Sequence, residues 1–108
     1  MPQIKIRGIA AEKVCAVSKE MIDSLEKIIG CPRDYFTIEC IPSTFIMDGK
    51  ITSGYPFIEV AWFDRGQAVQ DQVAKSITKF IHELGYSHVD VFFQVFDRHR
   101  YYENGEHY

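Results

Sequence analysis

No stretch of the 108-residue chain approaches the roughly 20 consecutive apolar residues that a membrane-spanning helix needs. The N-terminal segment lacks the shape of an export signal, because Lys5, Arg7 and Glu12 interrupt it. A large charge of one sign is missing as well. Twelve basic against fifteen acidic side chains leave a net charge of −3, which gives no general electrostatic reason to bind nucleic acid or an anionic membrane. The basic run Arg98-His99-Arg100 is too short to alter that. Cysteine is scarce: Cys15, Cys31 and Cys40 are an odd set without CxxC spacing, the pattern of reduced thiols, so a cytoplasmic location is expected. The histidines at 82, 88, 99 and 107 show neither HExxH nor another ligand spacing, so no metal is expected. GxGxxG, P-loop and GxSxG motifs are also absent, which removes the common nucleotide-binding fingerprints and the serine-hydrolase elbow.

What is present is a foldable chain of one domain, residues 1–108, whose 46% apolar and 14% aromatic content rules out disorder. Its periodicity repeats. Ile4 and Ile6 alternate with Gln3, Lys5 and Arg7, predicting a half-buried strand over 3–7. Val14, Val17, Met21, Leu25 and Ile28 then recur at three- and four-residue steps, predicting a helix over about 10–29, stopped by Gly30 and Pro32. A second strand follows over 36–41. The same order returns with a strand over about 57–63, a helix over about 66–84 marked by Val69, Val73, Ile77, Ile81 and Leu84, Gly85, and a strand over 89–96. Ile4 and Ile58 are 54 positions apart and Gly30 and Gly85 are 55 apart, as duplicated βαβ units require. Each unit should have parallel strands and a right-handed crossover. The intervening 42–56 segment contains the turn signal Asp48-Gly49 and is expected to form a short hairpin with Phe45-Ile46-Met47 as an edge strand. The tail from Asp97 to Tyr108 is polar and aromatic with no period.

The expected fold is therefore α+β, a four-stranded mixed sheet with two helices on one face. The other face would carry Lys5, Arg7, Thr37, Glu39, Glu59, Asp90 and Gln94 together with Ile41, Ala61, Phe63 and Phe92. Parallel strand pairs are usually covered on both sides. Mixed charges and aromatics on the uncovered face therefore point to packing against other copies of the chain.

Pro2 stands directly behind the start methionine, which is readily trimmed before a small residue. A freed proline presents a secondary amine. In an apolar pocket its pKa falls, because desolvation disfavours the charged form, and a base near neutrality suits proton transfer beside a carbonyl.

With Pro2 at the head of the first strand and the βαβ order duplicated, the chain resembles the tautomerase superfamily, especially the longer branch that includes macrophage migration inhibitory factor. Gly30-Cys31-Pro32-Arg33-Asp34-Tyr35-Phe36-Thr37-Ile38-Glu39-Cys40-Ile41-Pro42 is similar to that branch's link from first helix to second strand. Tyr101-Tyr102 and the ending Asn104-Gly105-Glu106-His107-Tyr108 resemble an uncharacterised bacterial subgroup. The resemblance implies a homotrimer enclosing a central barrel, with sites at subunit interfaces. It further implies that Pro2 acts as general base or acid on small 2-oxo or enol acids, possibly aromatic. No cofactor is needed, because the substrate carbonyl is the electron sink.

Relatives acting on phenylpyruvate-like substrates carry a lysine just after the helix-ending glycine, where this chain has Cys31. Arg65 is the preferred substitute for gripping a substrate carboxylate with two hydrogen bonds, and it would lie beside Pro2 if the two central strands were parallel neighbours. The alternative for Arg65 is a surface ion pair with Asp64 or Asp97. Arg7 is a second candidate, although its strand position favours a structural pair with Glu59 or Glu39. Tyr101 and Tyr102 either line the pocket mouth from a neighbouring subunit, one hydroxyl donating to an oxyanion, or anchor the tail by packing. Phe45, Trp62 and Phe63 would make the site apolar, and Trp62 serves equally as plain core. Cys31 follows a helix C-terminus, which raises a thiol pKa, so it is not read as a nucleophile. The competing reading is a non-catalytic small-ligand-binding or assembly protein, on this fold or on a ferredoxin-like one.

Overall fold

The computed structural model describes residues 2–108. Strand β1 (Gln3–Arg7) leads into helix α1 (Ala11–Ile29), and strand β2 (Thr37–Ile41) closes the first unit. Strands β3 (Phe45–Met47) and β4 (Lys50–Thr52) form a hairpin before strand β5 (Phe57–Trp62), helix α2 (Gln67–Glu83) and strand β6 (Asp90–Val95) complete the second. The tail adds a small hairpin of β7 (Tyr102–Glu103) and β8 (Glu106–His107).

The sheet order is β2-β1-β5-β6. Both outer pairs are parallel, as the two βαβ units demand, with Ile4 opposite Ile38 and Ile58 opposite Val91. The central pair β1 and β5 is antiparallel, Gln3 lying opposite Ala61 and Arg7 opposite Phe57. This corrects the parallel central pair considered for Arg65. Two equivalent units placed back to back must run in opposite senses at their junction, and the local pattern of neither strand carries that information. The unsplit pairing also removes the ferredoxin-like alternative, whose βαβ units are split by an intervening strand.

Alternation sends Ile4, Ile6, Ile58, Val60 and Trp62 toward the helices, all essentially inaccessible to solvent. Helix α1 answers with Val14, Val17, Met21, Ile22 and Leu25, and α2 with Val73, Ile77, Phe80 and Ile81. Across the helix pair the Ser24 and Ser76 hydroxyls meet at 2.8 Å. Gly30 ends α1 at φ 78°, where an L side chain is strained, and its N–H donates to the Glu26 carbonyl.

The two units match in detail at their entry points. Pro2 and Pro56, each immediately before its unit's first strand, are fully buried. Thr37 N–H donates to the Pro2 carbonyl at 3.2 Å, and Asp90 N–H to the Pro56 carbonyl at 3.2 Å. A two-fold relation between β1 and β5 therefore extends past the strands to both prolines.

The sheet face opposite the helices carries Lys5, Arg7, Glu39, Glu59, Asp90 and Gln94 as expected, together with Phe57. A cleft of about 300 Å³ opens there between Lys5, Arg7, Ile41, Phe57, Glu59 and Phe92. Lys5 pairs with Glu59 at 3.9 Å. Arg7, expected to pair with Glu59 or Glu39, instead lies 4.7 Å from the Phe57 ring centroid and forms no ion pair among the described residues. Glu59 stands directly across from Lys5 in the register, which leaves Arg7 facing a ring.

Candidate active site

The antiparallel junction brings the head of β1 to the tail of β5. Pro2 therefore lies alongside Trp62, one step beyond the Gln3–Ala61 pair, and Phe63 and Arg65 follow directly. Trp62 is fully buried and packs on Phe93 with ring centroids 5.0 Å apart, so it is core. Its indole N–H has no hydrogen-bond partner among the described residues.

Phe63 is 7% exposed although it lies on the sheet face away from the helices. The tail covers it. Phe96 N–H donates to the Trp62 carbonyl at 2.7 Å, carrying the β5–β6 pairing one step beyond Val95 and setting the Phe96 ring 5.4 Å from that of Phe63. The chain then turns at Asp97, whose carboxylate accepts from His99 N–H. Tyr101 packs edge-on against Phe63 at 5.1 Å. Tyr108 stacks on Phe63 at 4.9 Å with ring planes 17° apart, and Tyr108 N–H donates to the Tyr101 carbonyl. Four rings thus form one apolar cluster at the Pro2 end of the sheet.

Arg65 is half-buried. Its Nη1 donates to the Phe63 carbonyl at 2.8 Å, and its guanidinium lies 5.5 Å from the Trp62 ring centroid. The ion pair considered with Asp64 or Asp97 is absent among the described residues, for a local reason. Asp64 accepts from Gly66 N–H, and Asp97 accepts from His99 N–H and forms its ion pair with Arg100. Cys31 belongs to the same end. Burial raises its thiol pKa, and the nearby Arg65 charge opposes that rise.

Of the sequence candidates, the structure brings Phe63, Arg65 and Tyr101 together, and the register sets Pro2 at the same end of the sheet, on the helix-facing side with Trp62. Tyr102 is not among them: it is 58% exposed, and its ring packs on His107, 4.8 Å away, across β7 and β8. Within one chain Tyr101 packs against Phe63. Phe45 is at the opposite end, where its ring closes over Gly54. Phe96, Arg98 and Tyr108, to which the sequence assigns no site role, join the same cluster. Arg98 places its guanidinium carbon 4.9 Å from the Phe63 ring centroid and 5.9 Å from that of Tyr108. The available signal was Asn104-Gly105, the strongest short hairpin sequence, which folds Tyr108 back.

Chemically, an amine buried at this end of the sheet would lose hydration and ionise less readily, while guanidinium groups nearby favour anions.

Comparison with known proteins places the chain. The family described as Domain of unknown function (DUF1904) matches residues 1–107. The chain belongs to that family. A DUF1904 domain from Sebaldella termitidis ATCC 33386 is similar over 100% of both chains, with 38% identity and a TM-score of 0.93. A protein of unknown function from Vibrio cholerae O1 biovar eltor str. N16961 shares 32% identity over 99% of this chain and 87% of its own, with a TM-score of 0.88. Beyond DUF1904, the macrophage migration inhibitory factor-like protein of Entamoeba histolytica has a TM-score of 0.71 at 17% identity, covering 99% of this chain and 98% of that one. The DUF1904 fold is thus the tautomerase fold that the βαβ order implied. No curated protein matches the chain.

Proposed function

We propose that this DUF1904 protein is a cofactor-independent tautomerase in which the amine of Pro2, freed by removal of Met1, moves a proton between carbon and oxygen of a small 2-oxo or enol acid. The observation that supports this reading is that the antiparallel register sets buried Pro2 at the same end of the strand pair as Phe63 and Arg65. The burial of Pro2 beside Trp62 supplies the low-dielectric surroundings that keep a secondary amine neutral near pH 7. Arg65, held by the Phe63 carbonyl through Nη1, keeps its other donors for a substrate carboxylate. A tail tyrosine, Tyr101 or Tyr102, would polarise the carbonyl. Tyr102 can do so only across a subunit boundary, since in its own chain it faces away from the site.

The assembly that fits is a homotrimer closing the charged sheet faces around a centre, as the superfamily resemblance implies. Its ligand is a small carboxylate, and neither nucleic acid nor a membrane is a partner. Among the described residues no helix is long and apolar enough to cross a membrane.

The test follows ketonisation of phenylenolpyruvate by protein whose intact mass confirms loss of Met1, beside the Pro2→Ala variant. A large rate loss in the variant is expected, and equal rates would overturn the reading. One observation favours a second reading, a ligand binder without turnover: Cys31 stands where phenylpyruvate-active relatives carry lysine. Met1 retained in cells would support the binder.

A further inference from the structure

Two of the three thiols lie away from the Pro2 end of the sheet. Cys40 stands opposite Ile6 in the β1–β2 register, so its side chain points with Ile6 toward the helices and packs against the core. Because β2 is an edge strand, that side chain is half-buried rather than sealed. Cys15 is exposed on α1. It is three residues before Ser18 and seven before Ile22, positions that share one flank of a helix, and the Ser18 hydroxyl donates to the Cys15 carbonyl at 3.0 Å. That flank borders β2, since a groove of about 380 Å³ separates Ser18 and Ile22 from Phe36 and Ile38. A helix that links two parallel strands runs antiparallel to both. The step from Ser18 to Cys15 covers about 5 Å of α1, and the step from Ile38 to Cys40 about 7 Å of β2, in the same direction. Both thiols therefore stand at one end of the groove, on facing elements. Their closeness has an electrostatic trace: burial is the main cause that raises the Cys40 pKa, and the charges of an ionised Cys15 and of Glu12 add to it. Cys31 has no place in this pair, because it lies past the far end of α1, about 20 Å along the helix from Cys15.

From this placement we infer that Cys15 and Cys40 are an oxidant-responsive thiol pair that closes to a disulfide between α1 and β2. The oxidant is a hydroperoxide. The exposed Cys15 thiolate attacks one peroxide oxygen, the O–O bond breaks, and the other oxygen leaves with a proton as water, so Cys15 becomes a sulfenic acid. The Cys40 thiolate then attacks that sulfur, the S–S bond forms, and the sulfenic oxygen leaves as a second water. Two thiols give up two electrons and two protons, and the peroxide is reduced to water. A disulfide needs Cα atoms within about 7 Å, and the first turns of α1 can supply the approach because Ala10 provides no side-chain cap. Such reversible pairs are the form that disulfides take where glutathione keeps thiols reduced. The inference does not depend on the chemistry proposed for Pro2.

The experiment treats the folded protein with hydrogen peroxide, caps the remaining thiols with iodoacetamide, and maps unreduced peptides by mass spectrometry. The expected product is an intrachain Cys15–Cys40 bridge, with Cys31 still capped and the bridge reversed by dithiothreitol. Oxidation in urea is the control for chance encounter. Loop closure in an unfolded chain favours the short Cys31–Cys40 bridge over Cys15–Cys40 by about fivefold, so the preference should invert when the fold is lost. Cys31→Ser should bridge as wild type. Cys40→Ser should leave Cys15 to advance to the sulfinic acid or to link two chains. The inference is overturned if Cys15 of the folded wild type is oxidised while Cys40 stays open to iodoacetamide. A folded-state product dominated by a bridge to Cys31 overturns it equally.

Discussion

Gly8 shows most directly how a single residue holds this fold. It sits at φ +87° just after β1, and a Cβ there would lie 2.3 Å from the Tyr55 carbonyl oxygen. Backbone, unlike a side chain, cannot swing away, so Gly8→Ala should cost on the order of 1–3 kcal/mol, measured by urea unfolding. Asp23 tests charge at the same scale. Its hydrogen bond from Arg33 is the main reason its pKa is lowered from 3.8, with Lys19 assisting against slight burial. A depressed carboxyl contributes stability that is complete above the unfolded value and disappears as pH falls through the folded one. Arg33→Gln should therefore return the Asp23 titration toward 3.8 in an NMR series and remove its share of the acid-side loss. The thiols give a third measurement. Burial raises the pKa of Cys31 and Cys40, whereas Cys15 is exposed, so iodoacetamide at pH 7 should label Cys15 first by mass spectrometry.

Among the elements, both helices and all four sheet strands were legible because each buries one regular face. Val14, Val17, Met21 and Leu25 follow the helical period and are buried as it demands, and Leu25→Ala should cost roughly 2–5 kcal/mol. The tail has no period in its sequence, and a two-residue strand is too short to show one. Its information lies in the turn, where Asn104 and Gly105 have φ of 53° and 82°, the paired positive values of a tight hairpin. The direction of β1 against β5 was equally hidden, since alternation reads the same in either sense. The site suffered most from these two gaps. Pro2, Phe63, Arg65 and Tyr101 are candidates in the sequence from residue chemistry and the family resemblance, whereas the packing of Arg98 and Tyr108 on Phe63 depends on how the tail folds back. Gly105→Ala should loosen this hairpin, and faster amide exchange at Tyr108 would report it.

For the whole molecule, the surface remaining after folding is the informative part. Ile46, Met47 and Ile51 on the β3–β4 hairpin are 64–80% exposed, and Phe92 on the open sheet face is 48% exposed. An isolated two-stranded hairpin is marginal in water, and side chains of this size are normally covered by a partner. Phe92→Glu should lower the assembled mass in sedimentation while a single chain keeps its helical circular dichroism; an unchanged mass would argue against packing through that face. The matching prolines have a consequence for counting. Pro2 and Pro56 occupy equivalent corners of a doubled unit, each with its carbonyl held by a parallel neighbour strand. Pro56 is locked within the chain at both bonds, so proteolytic trimming can free an amine at only one corner. A trimer would present six geometrically related corners and at most three nucleophilic nitrogens.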